Sequence, residues 1–105
     1  MALTHRLILA PSESVKKMLI RRMTFGRAME EADSFKSASW GAVLLVQGTV
    51  PEIFYAADVG SKTSPVLTAE LVGNCPQNIV SMAFIGGVAD VKQVLSALTH
   101  GGVIV

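Results

Sequence analysis

Short apolar runs alternate with helical patterns along the first part of the chain. The apolar stretches at residues 6–10 and 15–23 predict two strands, separated by the polar, proline-containing turn at residues 11–14. Over residues 25–35 the apolar positions recur at helical spacing, which predicts a short helix.

The middle of the chain predicts a buried strand followed directly by a helix. The run at residues 40–47 is continuously apolar at its centre, which indicates burial on both faces of a sheet. Thr49 and Glu52 have the spacing of a capping box, with Pro51 in the first turn, so we expect a helix to begin there. Ser64-Pro65 marks its end.

The last forty residues predict a hairpin and a final helix. Two apolar runs, at residues 66–72 and 79–85, are joined by the Gly/Asn/Pro turn at residues 73–78 and should pair as antiparallel strands. Apolar residues from Val88 onward have amphipathic helical spacing, and Gly101-Gly102 ends that helix. We therefore predict one α+β domain over residues 1–105, an antiparallel sheet with helices packed on one face.

Composition indicates an oligomer that does not rely on charge to bind its partners. Half of the 105 residues are hydrophobic and only 16% are charged, which excludes disorder and exceeds what so small a domain can bury alone. Nine basic residues against eight acidic ones argue against a nucleic-acid-binding protein. The basic cluster Lys16, Lys17, Arg21 and Arg22 is interpreted as the solvated ends of the second strand.

Neither a membrane span nor a disulfide is expected. The longest uncharged run, residues 71–89, contains several glycine, asparagine and proline residues, which a spanning helix does not tolerate at its centre. The first ten residues lack the pattern of a signal peptide. A single cysteine, Cys75, agrees with a reducing compartment, so we expect a cytoplasmic protein.

Several segments together resemble the bacterial microcompartment (BMC-domain) shell proteins. They are residues 41–46, Ala56-Ala57-Asp58 with Lys62, the hairpin strands at 66–72 and 80–85, and residues 87–92. The strands and helix before Trp40 are similar to the circularly permuted subclass of that family. The resemblance implies a hexameric shell tile in the bacterial cytoplasm, with other shell proteins and encapsulated enzymes as partners. It also implies a permuted core at residues 15–100, and an N-terminal extension (residues 1–11) whose strand lies over the pore rather than in the main sheet.

The turn of the hairpin carries the candidate chemistry. In this family the corresponding loop lines the central pore of the hexamer. Here it consists of Gly73, Asn74, Cys75, Pro76, Gln77 and Asn78, and its G-x-C-P-Q string resembles the iron–sulfur-binding shell proteins of glycyl-radical propanediol microcompartments. The resemblance implies that Cys75 is a ligand of a [4Fe–4S] cluster.

The number of thiols in the chain is compatible with this interpretation. A [4Fe–4S] cluster takes up to four thiolates and this chain offers one, so a cluster requires several copies around a symmetry axis. Gly73 and Pro76 would shape the loop, and the amides of Asn74, Gln77 and Asn78 would hydrogen-bond the cluster sulfurs. The residues leave electron transfer, cluster delivery and plugging of the pore open as roles.

The sequence also leaves other interpretations open. Cys75 as a small buried residue is the ordinary alternative for a lone cytosolic cysteine. Gly86-Gly87 before a helix is compatible with an oligomeric, small-molecule-binding regulatory domain, although tight turning explains the pair as well. The histidines His5 and His100 have no ligand-like neighbours, and no catalytic constellation is present in the sequence, so we do not expect an enzyme.

Overall fold

The computed structural model describes residues 3–24, 35, 38–72 and 79–104. Within them the chain forms a four-stranded antiparallel sheet of order β1-β2-β4-β3, which confirms the α+β prediction. The strands are β1 (Thr4–Leu9), β2 (Ala42–Thr49), β3 (Leu67–Leu71) and β4 (Ile79–Gly86). The helices are α1 (Glu13–Thr24), α2 (Val50–Thr63) and α3 (Val88–His100).

The second predicted strand is wrong, because residues 15–23 belong to helix α1. Leu19 and Met23, four positions apart, are both buried, and Val15 packs beside them. The Ser12 hydroxyl accepts a hydrogen bond from the Val15 N–H at 3.3 Å, so Ser12 acts at the start of the helix as a capping residue does. Glu13 and Lys16 add an i,i+3 ion pair at 2.8 Å.

The N-terminal strand lies in the main sheet, which corrects the expectation that it stands apart over a pore. All six residues of β1 are in register with β2, from Thr4 opposite Gln47 to Leu9 opposite Ala42. The chain then turns at Ala10, whose φ of 47° is left-handed and whose N–H donates to the Gly41 carbonyl at 2.9 Å. Strand β1 is thus an edge of the sheet and part of the domain.

Helices cover both faces of the sheet, which corrects the prediction of one covered face. Helices α2 and α3 bury one face, and α1 with Phe35 and Trp40 buries the other. Strand β2 therefore contributes Leu44 and Val46 to the first core and Val43 to the second, confirming the predicted burial on both sides. The helix predicted for residues 25–35 lies outside the described residues except for Phe35, which is helical and buried.

The boundaries of α2 agree with the sequence pattern. The capping box at Thr49 is present, and the Thr49 N–H donates to Oε1 of Glu52 at 3.2 Å. The helix ends before Ser64. Its buried residues are Ile53, Ala56 and Gly60.

Helix α3 follows the turn at Gly86-Gly87 as predicted. It buries Val91, Val94 and Leu98 against the sheet, and its C-cap is Gly101. Beyond it, the Val103 carbonyl accepts a hydrogen bond from the Leu3 N–H at 2.9 Å. The two described ends of the chain therefore meet beside the first core.

Candidate functional site

The hairpin that carries the candidate loop is present. Strands β3 and β4 pair antiparallel from Leu67 opposite Ile85 to Leu71 opposite Ser81. The connecting residues 73–78 lie outside the described part of the chain, and with them every predicted site residue: Gly73, Asn74, Cys75, Pro76, Gln77 and Asn78. Because the flanking strands are hydrogen-bonded neighbours, both ends of this loop start from the same end of the sheet.

Helix α1 reaches this end of the sheet from the side. Its residue Arg22 makes two hydrogen bonds with Val72, the last described residue before the loop. The Arg22 Nη1 donates to the Val72 carbonyl at 3.1 Å, and the Val72 N–H donates to the Arg22 carbonyl at 3.3 Å. Local sequence patterns do not predict this contact, since the two residues are fifty positions apart and the apolar run at residues 15–23 predicts a strand.

A polar row crosses the sheet at the same end. Thr4, Gln47 and Ser81 are successive partners in the register of β1, β2 and β4. The Gln47 Nε2 donates to the Ser81 hydroxyl at 3.1 Å, and Arg6 joins these residues along a shallow groove of about 220 Å³. The strand ends beside the candidate loop thus bear polar side chains on the face that α1 covers further along.

The basic cluster is a solvated helix face rather than the ends of a strand. Lys17, Arg21 and Arg22 are exposed, while Leu19 and Met23 on the opposite side of α1 are buried. These three basic residues are therefore solvated, as expected, but they lie on a helix and not at the ends of a strand. Arg21 and Arg22 also stand in its last turn, where cations interact favourably with the helix dipole.

The groove at Gly86-Gly87 does not have the character of an anion site. It has a volume of about 600 Å³ and is lined by Val66, Gly86, Gly87 and Asp90 among others. A Cβ on Gly87 would stand 3.7 Å from the Asp90 Oδ2, so the start of α3 already carries its own carboxylate. This negative charge disfavours a bound anion. It supports the interpretation of Gly86-Gly87 as a tight turn between strand and helix.

Several of the other polar candidates have structural partners. Asp58 and Lys62, four positions apart on α2, form a surface ion pair at 2.9 Å. His100 Nδ1 lies 2.8 Å from the Ser96 carbonyl, and the Trp40 indole N–H donates to the Phe35 carbonyl at 3.0 Å. In the described part of the chain, no three His, Cys, Asp or Glu side chains are grouped as metal ligands.

Solved structures of microcompartment shell proteins share this architecture. The ligand-free GrpU microcompartment shell protein from Pectobacterium wasabiae superposes with a TM-score of 0.66 at 29% identity, covering 91% of this chain and 99% of that chain. The chain has the BMC-domain fold of GrpU-like shell proteins. The ligand-free GrpU protein from Clostridiales bacterium 1_7_47FAA shares the fold at a TM-score of 0.63 and 20% identity, over 94% of this chain and 89% of that one.

This similarity confirms the resemblance to BMC-domain shell proteins that the sequence segments indicated. No family model matches the chain, and no curated relative matches it. Among the described helices, none has the length and apolar character needed to cross a membrane.

Proposed function

We propose that this protein is a structural, non-enzymatic tile of a bacterial microcompartment shell, assembled as a cyclic hexamer in the cytoplasm. The observation that carries the proposal is the similarity to the Pectobacterium wasabiae shell protein, which includes 99% of that chain. Its expected partners are copies of itself, other shell proteins and encapsulated enzymes.

The surface of the single chain supports assembly. Phe54 and Tyr55 on α2 are 69% and 56% exposed, and Met18 on α1 is 60% exposed. These helices lie on opposite faces of the sheet. A subunit of a ring contacts two neighbours through two different surfaces, so separate exposed apolar residues fit a ring better than a single self-complementary dimer patch.

The second part of the proposal concerns Cys75. We assign it as the ligand through which several subunits share a [4Fe–4S] cluster on the symmetry axis, with residues 73–78 forming the pore loop. Since one chain offers one thiol and no grouped ligands among its described residues, a cluster fits only a site shared between chains. When bound, the cluster would supply one-electron redox chemistry, used for electron transfer across the shell or delivered as a cluster to an enzyme inside.

The two parts can be tested on wild-type protein and Cys75→Ser purified without oxygen. Sedimentation should give a hexamer for both, because the proposal gives Cys75 the role of a ligand and not that of a packing residue. Iron and acid-labile sulfide should be present only in the wild type, which should be brown. Mild oxidation of iron-free wild type should produce dimeric chains on a denaturing gel, because each chain has one cysteine and a disulfide forms only when thiols converge.

The outcomes separate the two parts. A stable monomer or dimer at micromolar concentration would contradict the shell tile. A hexamer with equal iron in wild type and Cys75→Ser would leave the tile intact and overturn the cluster. Cys75→Ala is the second variant, since it removes the thiol without adding a hydroxyl.

A further inference from the structure

The groove at the start of α3, which we call the Asp90 groove, has a mostly apolar lining and one carboxylate. Its volume is about 600 Å³, and its walls come from the start of β3, the end of β4 and the first turn of α3. Gly86 and Gly87 bring no side chains to it, and a Cβ on Gly87 would stand 3.7 Å from Oδ2 of Asp90. The Asp90 carboxylate therefore lies beside bare backbone, where a cationic side chain can reach it.

Asp90 is fixed in this position and lacks a cationic partner within the described part of its own chain. The Ser64 hydroxyl donates to the Asp90 carbonyl at 2.8 Å, which links the first turn of α3 to the end of α2. The Asp90 side chain forms no ion pair with another described residue. A surface that covers this groove must supply a cation, because a buried carboxylate without a partner is strongly unfavourable.

The exposed surface of α1 formed by Lys17, Met18 and Arg21, here the α1 face, combines apolar and cationic side chains. Met18 is 60% exposed, and both cations beside it are exposed as well. Lys17 and Arg21 are four positions apart, and like charges at this spacing destabilise a helix. Neither forms an ion pair with another described residue, whereas Lys16 pairs with Glu13 at 2.8 Å. An anionic partner would relieve this repulsion.

We propose that these two surfaces meet between copies of the chain: the α1 face of one copy docks into the Asp90 groove of the next. The two surfaces differ from each other, so each copy contacts one neighbour through α1 and a second neighbour through the groove. A contact of this kind continues from copy to copy and forms a ring where the rotation closes. This inference rests on the proposed function, because it names the surfaces that assemble the shell tile.

The charge-reversal variants are Arg21→Glu and Asp90→Lys in the full-length chain. Each one places like charges across the contact, which is strongly unfavourable. Each variant alone should therefore need at least about tenfold more protein than wild type for half-assembly in sedimentation. Circular dichroism should show that both still fold, because both residues lie outside the two cores. Asp90→Asn, which removes the charge without reversing it, should weaken assembly less.

Lys92→Glu and Glu70→Lys are the matched controls. Both residues are exposed, lie outside the two proposed surfaces and form no ion pair with another described residue. Their charge reversal should leave the assembly as in wild type. Unchanged assembly in Arg21→Glu and Asp90→Lys as well would assign the groove to another cationic partner and overturn the inference, with the shell tile intact.

Mixing Arg21→Glu with Asp90→Lys tests whether the two positions face each other across subunits. In an alternating ring, one contact joins the two substituted positions with opposite charges, and the next contact joins the native Arg21 and Asp90. The equimolar mixture should therefore form hexamers at a concentration where neither variant does so alone. A mixture that assembles no better than its components, or that stops at dimers, would overturn the inference. A wild type that is monomeric at micromolar concentration would instead refute the proposed function and this contact together.

Discussion

At the residue scale, Gly60 illustrates how a single hydrogen atom in place of a side chain sets the distance between helix and sheet. A Cβ at this position would stand 2.3 Å from Cε1 and 2.7 Å from Cζ of Phe84, well inside van der Waals contact. Phe84 is fully buried in the first core, so its ring has little room to move. The sequence predicted the helix that carries Gly60 but not the aromatic ring that Gly60 accommodates.

Gly60→Ala should destabilise the protein, although alanine is the better helix former. Helix propensity favours alanine by about 1 kcal/mol, and forcing a methyl group into a filled core costs about 1–3 kcal/mol. We expect a net loss of about 1 kcal/mol in the free energy of unfolding, measured by urea denaturation. Ser61→Ala, exposed on the next position, is the control and should change stability little. Equal or greater stability of Gly60→Ala would refute the close contact.

The contacts around the candidate site show which interactions a local sequence pattern can predict and which it cannot. The ion pair of Asp58 and Lys62 joins residues with i,i+4 spacing on one helix, so a local pattern is enough to predict it. The bonds between Arg22 and Val72 join residues fifty positions apart and depend on how α1 packs, which no local pattern specifies. The role of Cys75 is still a prediction, since the residue lies outside the described part of the chain.

At the scale of elements, local contacts explain why the start of α2 was predicted correctly and why α1 was predicted wrongly. The start of α2 was predictable because a capping box is a contact between near neighbours, here Thr49 and Glu52. Helix α1 was predicted as a strand because Met18, Leu19 and Ile20 form a continuous apolar run. The i,i+4 spacing of Leu19 and Met23 and the cap at Ser12 were the signals that would have identified the helix.

The capping box predicts a pH dependence of stability. The Thr49 N–H and hydroxyl donate to Oε1 of Glu52 at 3.2 and 2.9 Å, which lowers the pKa of that carboxyl below its usual 4.5. A lowered pKa in the folded state stabilises the fold above the unfolded pKa, and this contribution is lost as pH falls through the folded pKa. Glu52→Gln should therefore be less stable than wild type near neutral pH, with the difference shrinking as the pH falls below 4.5.

Denaturation curves at several pH values between these limits measure that difference. Glu70→Gln is the control, because Glu70 is exposed on β3 and does not stand at a helix start. A stability difference between wild type and Glu52→Gln that stays constant as the solution is acidified would contradict the assignment.

At the scale of the whole molecule, the N-terminal strand is where sequence reasoning and structure differ most. The resemblance to the permuted subclass implies a core at residues 15–100 and a separate strand over the pore. In the structure β1 forms the edge of the sheet, and Leu3 before it is 4% exposed in the first core. A Cβ on Gly48 would stand 2.3 Å from the Leu3 Cδ2, so β2 leaves space for this side chain. Periodicity identified the strand but could not specify its partner.

Residues 1–11 should therefore be essential to the fold. An extension that stood apart from the sheet would not be. Their removal would expose the edge of β2 over six paired positions and take Leu3 and Leu7 out of the first core.

Leu3→Ala alone should lower the free energy of unfolding by about 2–4 kcal/mol, a large share of the stability of a domain this size. Leu9→Ala, in the same strand but 52% exposed, should cost well under 1 kcal/mol by the same mechanism. Urea denaturation of the two variants makes the comparison, and the chain lacking residues 1–11 should be insoluble or unfolded by circular dichroism. A soluble, cooperatively folding truncation, or equal losses for Leu3→Ala and Leu9→Ala, would show that β1 is dispensable after all.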